Sequence, residues 1–252
     1  FIDLLDVITH VAFLNSRLLR KAMEDELYNN VVQGNYDTAV NNAQSVRVAN
    51  GGEFINEIVT RLISAAPRKV MSFAYKLWHG GAKEIVRNHF PKPFQHIFNE
   101  DAVTIVHKLY QQPLKLGDTT KFTERLAWGD DKRVITSERV SWEFHPAWSN
   151  DGVTFQLYNI HRSMCLKMDI ISNKIGERKA WGSFHSNVER RSFYLEPMIK
   201  HGILVFFIIN YEYGQGLKLD EDADEIGDRQ VWTHNGSVYN EYERFSWVIA
   251  AW

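Results

Sequence analysis

The chain holds one cysteine, Cys165, among 252 residues, so no internal disulfide framework staples it and its stability must come from a buried core. Six prolines are too few for a stiff proline-rich linker. The formal net charge is only −2, which removes the field that draws a protein to nucleic acid or to an anionic membrane surface. No apolar run reaches the ~18 residues of a membrane-spanning helix. Familiar catalytic patterns are missing too: no Gly-x-Ser-x-Gly, no glycine-rich phosphate loop ending in Lys-Ser/Thr and no His-Glu-x-x-His. The ten histidines are scattered without metal-ligand spacing; His89 and His96 share a region but flank Pro91 and Pro93. Gly214-Gln215-Gly216 reads as a turn, and Asp130-Asp131 as another. The acidic run 220–225 lacks the glycine and spacing of a calcium loop and reads as a solvated acidic loop. These absences exclude the common enzyme classes, and no cofactor or metal is expected.

What is present falls into two halves with different periods. Residues 1–20 carry Ile2, Leu4, Leu5, Val7, Ile8, Val11, Phe13, Leu14, Leu18 and Leu19. Asp3, Asp6 and His10 interrupt them and no basic stretch precedes them, so the segment reads as an apolar helix covered by other helices or by a lipid, rather than as a leader. Asn35 can cap a helix over 36–49 that Asn50-Gly51-Gly52 stops. Phe54, Ile55, Ile58, Val59, Leu62 and Ile63 form a broad apolar face over 53–66. Pro67 opens a third helix at the position where its missing N–H costs least, and a fourth over 82–90 stops at Pro91. Residues 1–99 are therefore expected to form an all-α helical bundle.

From Ala102 the period becomes two: Val103, Ile105 and His107, then Val153, Phe155 and Leu157, then Leu204, Phe206 and Ile208 alternate as half-buried strands. This half repeats itself. Asn159, Leu166, Lys167, Asp169, Ile175, Gly176, Arg178 and Trp181 recur 51 residues on as Asn210, Leu217, Lys218, Asp220, Ile226, Gly227, Arg229 and Trp232. A fainter copy lies upstream in Leu114-Lys115-Leu116 and Glu124-Arg125-Leu126-Ala127-Trp128-Gly129. Three strand-rich units of about 51 residues, each of about four short strands, point to a β-trefoil over 100–252. The fold class expected is thus α+β multidomain: an N-terminal all-α helical bundle followed by a C-terminal β-trefoil.

Within the repeats, Asp169, Trp181, Asp220 and Trp232 are the sugar-binding candidates. An exposed aromatic ring can stack on a sugar face while a nearby carboxylate accepts from its hydroxyls. The alternative is structural, with tryptophan as a core cap and aspartate as a turn former. Asn235-Gly236-Ser237 matches the glycan acceptor pattern on an expected loop, usable if the chain is secreted. Cys165, whose counterpart is Gly216, reads as a structural thiol.

Both halves together resemble the thirty-kilodalton, low-molecular-mass haemolymph lipoproteins of silkworm and other Lepidoptera. The resemblance is carried by Glu26-Leu27-Tyr28-Asn29, Gly34-Asn35-Tyr36-Asp37-Thr38-Ala39-Val40, Tyr75-Lys76-Leu77-Trp78, Glu84-Ile85-Val86-Arg87, Glu138-Arg139-Val140-Ser141-Trp142 and Gly227-Asp228-Arg229. It covers the chain from about residue 26. It implies a secreted haemolymph protein with no enzymatic activity, an α-helical domain joined to a β-trefoil, and roles in nutrient storage, lipid transport, or glucose and glucan binding linked to defence. The first expectation is a storage and carrier lipoprotein with lipid or another small apolar ligand as partner, lined by Leu5, Val11, Phe73 and Trp78. The alternative is a carbohydrate (glucan)-binding module.

Overall fold

The structure is a computed structural model that describes residues 4–50, 52–121, 123–132, 137–184 and 188–252. Two compact units divide between Phe90 and Pro91.

The first unit is helical: α1 (Leu4–Gln33), α2 (Tyr36–Asn50), α3 (Glu53–Ala65), α4 (Pro67–His79) and α5 (Lys83–His89). Gly34, at φ 83°, supplies the left-handed residue that ends α1, and its N–H donates to the Val31 carbonyl. Pro67 is the first residue of α4, where no N–H is needed. The six apolar residues expected on α3 are all buried, and α3 packs on α4, which buries Val70, Phe73, Ala74, Leu77 and Trp78. Leu27 and Val31 bury the C-terminal half of α1 against this core. Its N-terminal half is different. Val7, Ile8, Val11, Phe13, Leu14, Leu18 and Leu19 are each at least 43% exposed, so the expected cover by other helices is absent there.

The second unit opens with α6 (Lys92–Phe98), for which the sequence pattern gives no separate helix after the stop at Pro91. Pro91 and Pro93 fall at the cap and in the first turn, the only place where two such residues leave a helix intact. The helix packs on strands: Phe94 lies 6.1 Å from Phe206 and Phe98 lies 5.8 Å from Phe155. Residues 91–99, expected to belong with the helical half, thus cluster with the strands.

Twelve strands follow among the described residues, all antiparallel in their pairings. Six of them close a ring: β1 (Val103–His107), β4 (Trp142–Ser149), β5 (Gly152–Asn159), β8 (Phe193–Lys200), β9 (Ile203–Asn210) and β12 (Trp247–Ala251). Each pairs with the next, and β12 pairs back to β1. The other six form three hairpins: β2 (Leu114–Lys121) with β3 (Glu124–Gly129), β6 (Met164–Ser172) with β7 (Arg178–Ser183), and β10 (Gly216–Ala223) with β11 (Arg229–His234). Strands β3, β7 and β11 pair with one another in a closed triangle. Closure of both rings hides the sheet edges. The alternating residues expected to face inward are buried except Leu204, which is half-buried, while β9 also buries Val205, Phe207 and Ile209 on its other side. There Phe207 and Ile209 pack with Tyr194, Val238 and Phe245 in a satellite cluster.

Buried polar groups follow the same threefold plan. Asn159 Nδ2 donates to the Arg139 and Ser141 carbonyls and its Oδ1 accepts from the Arg162 N–H. Asn210 does the same with Arg190, Ser192 and Tyr213. His107 takes the first position: Nε2 lies 2.9 Å from the Arg244 carbonyl, and Nδ1 accepts from the Tyr110 N–H at 3.4 Å. That pattern requires neutral imidazole. Burial, opposed by the Arg244 carbonyl and aided by the Arg229 charge, pushes His107 down from 6.5 to about 4. Its contribution to stability is therefore intact above pH 6.5 and lost as pH falls from there toward 4, because the unfolded chain takes up the proton first. Roughly 3 kcal/mol is lost over that window. Urea melts of the wild type and His107→Asn between pH 7 and pH 4.5 should show a shallower acid slope in the variant, and equal slopes would contradict this.

Candidate functional site

The hairpin end of the strand unit concentrates the residues that the repeats singled out. Each hairpin bulges after Leu116, Met168 or Leu219, and an arginine closes each bulge. The Arg125 guanidinium donates to the Gly117 and Asp118 carbonyls, Arg178 to those of Asp169 and Ile170, and Arg229 to those of Asp220 and Glu221. One lysine per hairpin is buried and reaches an acid on a neighbouring hairpin, so the three ion pairs run round the triangle. Lys115 Nζ lies 2.5 Å from Asp228 and 3.1 Å from Asp130, Lys167 pairs with Glu124, and Lys218 lies 2.6 Å from Glu177. Burial pushes the Glu177 carboxyl up, but the Lys218 ammonium and the Asn173 amide outweigh it and hold it below the ordinary carboxylate range. The repeated arginines and lysines thus hold the hairpins together.

The repeated tryptophans behave unequally. Trp181 Nε1 donates to Asp169 Oδ2 at 3.2 Å, and Asp169 Oδ1 accepts from the Ile171 N–H. These two sugar-binding candidates are brought together and satisfy each other. Asp220 and Trp232 occupy the same places on the third hairpin, but Asp220 Oδ1 accepts from the Glu221 N–H and Trp232 Nε1 is buried with no partner. The Lys179 ammonium sits 5.0 Å from the Trp232 ring. On the first hairpin the aspartate is replaced by Gly117, and Trp128 lines an open cleft of about 660 Å³. Lys115, Asp118, Leu126, Lys132, Arg139 and Asp224 line it too, with Ile226 and Asp228. The repeat pattern did not single out this cleft; the signal was glycine in Leu114-Lys115-Leu116-Gly117 where the other copies have aspartate.

The lipid-binding candidates are not gathered in one place. The Leu5 side chain lies outside the described residues. Val11 is 49% exposed on α1, whereas Phe73 and Trp78 are buried in the α4 core. Trp78 is flanked by Lys83 and Arg87, 5.3 and 5.4 Å from its ring. Asn235 is exposed, and its Oδ1 accepts from Gln215 Nε2 at 2.7 Å. The acidic stretch is a hairpin tip in which Asp224 Oδ1 accepts from the Ile226 and Asp228 N–H groups. No described helix is long and apolar enough to cross a membrane.

Residues 21–251 match the model of the lepidopteran low molecular weight (30 kD) lipoproteins. The chain is 38% identical over 228 residues to microvitellogenin of Manduca sexta, covering 90% of this chain and 91% of that one. It is 35% identical over 227 residues to low molecular mass lipoprotein PBMHP-6 of Bombyx mori, covering 90% and 88%. Among solved structures, an SDF2-like protein from Arabidopsis thaliana aligns with 59% of this chain and 91% of that chain, at 11% identity and a TM-score of 0.48. The chain belongs to the lepidopteran low molecular weight (30 kD) lipoprotein family.

Proposed function

We propose that this chain is a secreted, non-enzymatic haemolymph storage and carrier lipoprotein, built from a helical domain and a β-trefoil. It holds lipid or another small apolar ligand against the first half of α1. The observation that carries this reading is the uncovered apolar stripe. Val7, Val11, Leu14 and Leu18 follow one another at helical spacing and are all exposed, an arrangement that a water-soluble helix avoids unless something covers it. Arg17 follows at the end of the stripe, suited to an anionic or zwitterionic headgroup, whereas Arg20 and Lys21 are paired with Glu24 and Asp25. The family name supports lipid association independently.

The test is a triple substitution, Val11→Ser, Leu14→Ser and Leu18→Ser. Lipid extracted per mole of protein is expected to fall several-fold with the melting temperature unchanged, because these side chains support no core. Unchanged lipid would sink the reading. A change of oligomeric state alone would assign the stripe to a second copy instead. The glucan alternative at Asp169, Trp181, Asp220 and Trp232 has less support, since Asp169 already accepts from Trp181 and the Trp232 N–H is buried.

A further inference from the structure

The cleft beside Trp128 holds two donors that the rest of the described protein leaves uncommitted. Trp128 Nε1 has no hydrogen-bond partner and is not buried, and the Lys132 ammonium has no ion-pair partner. The second hairpin shows what such an indole N–H takes when it is satisfied, namely the carboxylate of Asp169 at 3.2 Å. On the first hairpin that carboxylate is missing, because Gly117 stands in its place. A Cβ on Gly117 would lie 3.1 Å from Trp128 Nε1 and 3.2 Å from Cδ1. These are tighter than ordinary contacts, so the indole lies directly against the Gly117 backbone, with no side chain between them to accept from its N–H.

We propose that this cleft binds a small organic monocarboxylate with an apolar body, whose carboxylate accepts from the Trp128 N–H as the Asp169 carboxylate does from Trp181 on the second hairpin. The cleft's own acids do not oppose this, because each is neutralised or bonded locally. Asp118 is held by Arg139 and Arg162. Asp228 is paired with Lys115, and Asp224 accepts from two backbone N–H groups. That leaves Lys132 as the charge available to an incoming anion, with Trp128 Nε1 as a directional donor. Leu126, Ile226 and the Trp128 ring offer apolar surface to the ligand body, and about 660 Å³ lies within the usual size of small-molecule sites. This site is in the strand unit and stands or falls independently of the α1 stripe.

Octanoate is a suitable probe, with octan-1-ol and glucose as uncharged controls. In protein labelled at the tryptophan indole nitrogens, octanoate is expected to move one of the eight indole resonances saturably, and the one that Trp128→Phe removes. Octan-1-ol and glucose should leave it in place. Gly117→Asp gives the first hairpin the acid that the second already has; its backbone is not left-handed, but the Trp128 ring must give by a few tenths of an ångström to admit the new Cβ, and the variant is expected to lose octanoate binding. Lys132→Glu, at an exposed position, is a second variant that cannot unfold the core, and about a tenfold or greater loss of affinity is expected from it. No moving resonance at millimolar octanoate would overturn the proposal, as would binding unchanged in Lys132→Glu. Equal shifts with octan-1-ol would assign the cleft to apolar ligands at large, and a shift with glucose alone would assign it to a polyol; either overturns it.

Discussion

Replacing Glu177 by alanine is expected to destabilise the strand unit by about 3–5 kcal/mol, the cost of leaving a buried charge without its partner. The Lys218 side chain is only 5% exposed, and its ammonium lies 2.6 Å from Glu177 Oε1. Water cannot readily take the place of the lost carboxylate. His234 Nδ1 lies 3.2 Å from the same oxygen, so the deletion also leaves a second group facing an empty site. Glu177→Ala with Lys218→Met should recover most of the loss, because an apolar chain of similar reach does not need the counter-charge. Urea melts of the two single variants and the double variant form the cycle that separates the pair from its surroundings. If Glu177→Ala costs less than about 1 kcal/mol, the pair is behaving as a solvated surface bridge and the burial account is wrong. The lowered Glu177 pKa also fixes the direction of the pH effect. The pair contributes fully above the ordinary carboxylate range and loses that contribution as pH falls through the folded-state value.

The second large effect is expected at Trp142. Its side chain is fully buried, and its Nε1 donates to the Leu114 carbonyl at 2.8 Å. Trp247 repeats the arrangement with the Leu217 carbonyl at 2.9 Å. The middle copy has Phe193, equally buried and without a donor. The fold therefore tolerates loss of the hydrogen bond but not loss of the ring. Trp142→Phe should cost about 1 kcal/mol, the net value of one buried hydrogen bond, and Trp142→Ala about 3–5 kcal/mol, through the cavity left behind. Calorimetric melts of both variants check this. Similar losses from the two would show that the hydrogen bond dominates and the packing does not.

Sequence periodicity carried much of this, and its failures have identifiable causes. The repeat of Lys167, Arg178 and Trp181 as Lys218, Arg229 and Trp232 located two hairpins because each of those residues has a fixed structural task there. Helix α6 was hidden because Pro91 and Pro93 read as breakers unless their place in the first turn is known. His107 looked like one more alternating strand residue. Its equivalence to Asn159 and Asn210 lies in hydrogen-bond roles that imidazole and amide share, which no letter-by-letter comparison reveals. From Leu4 on, the N-terminal apolar run is helical as its pattern predicts, but an apolar stripe has the same pattern whether a core covers it or nothing does. Trp128 recurs with Trp181 and Trp232 and so stands out in the sequence, but its cleft does not: it is marked by a departure from the repeat, Gly117 for aspartate, and a search for recurring residues passes over departures.

The carrier reading is tested most directly by weighing what the protein holds. Native mass spectrometry of protein purified from its natural source, followed by organic extraction, measures ligand per chain. The account predicts a stoichiometric lipid or other small apolar molecule that the α1 substitutions release. A chain that flies at its sequence mass and yields nothing to organic solvent would contradict it, and would leave plain amino-acid storage as the function.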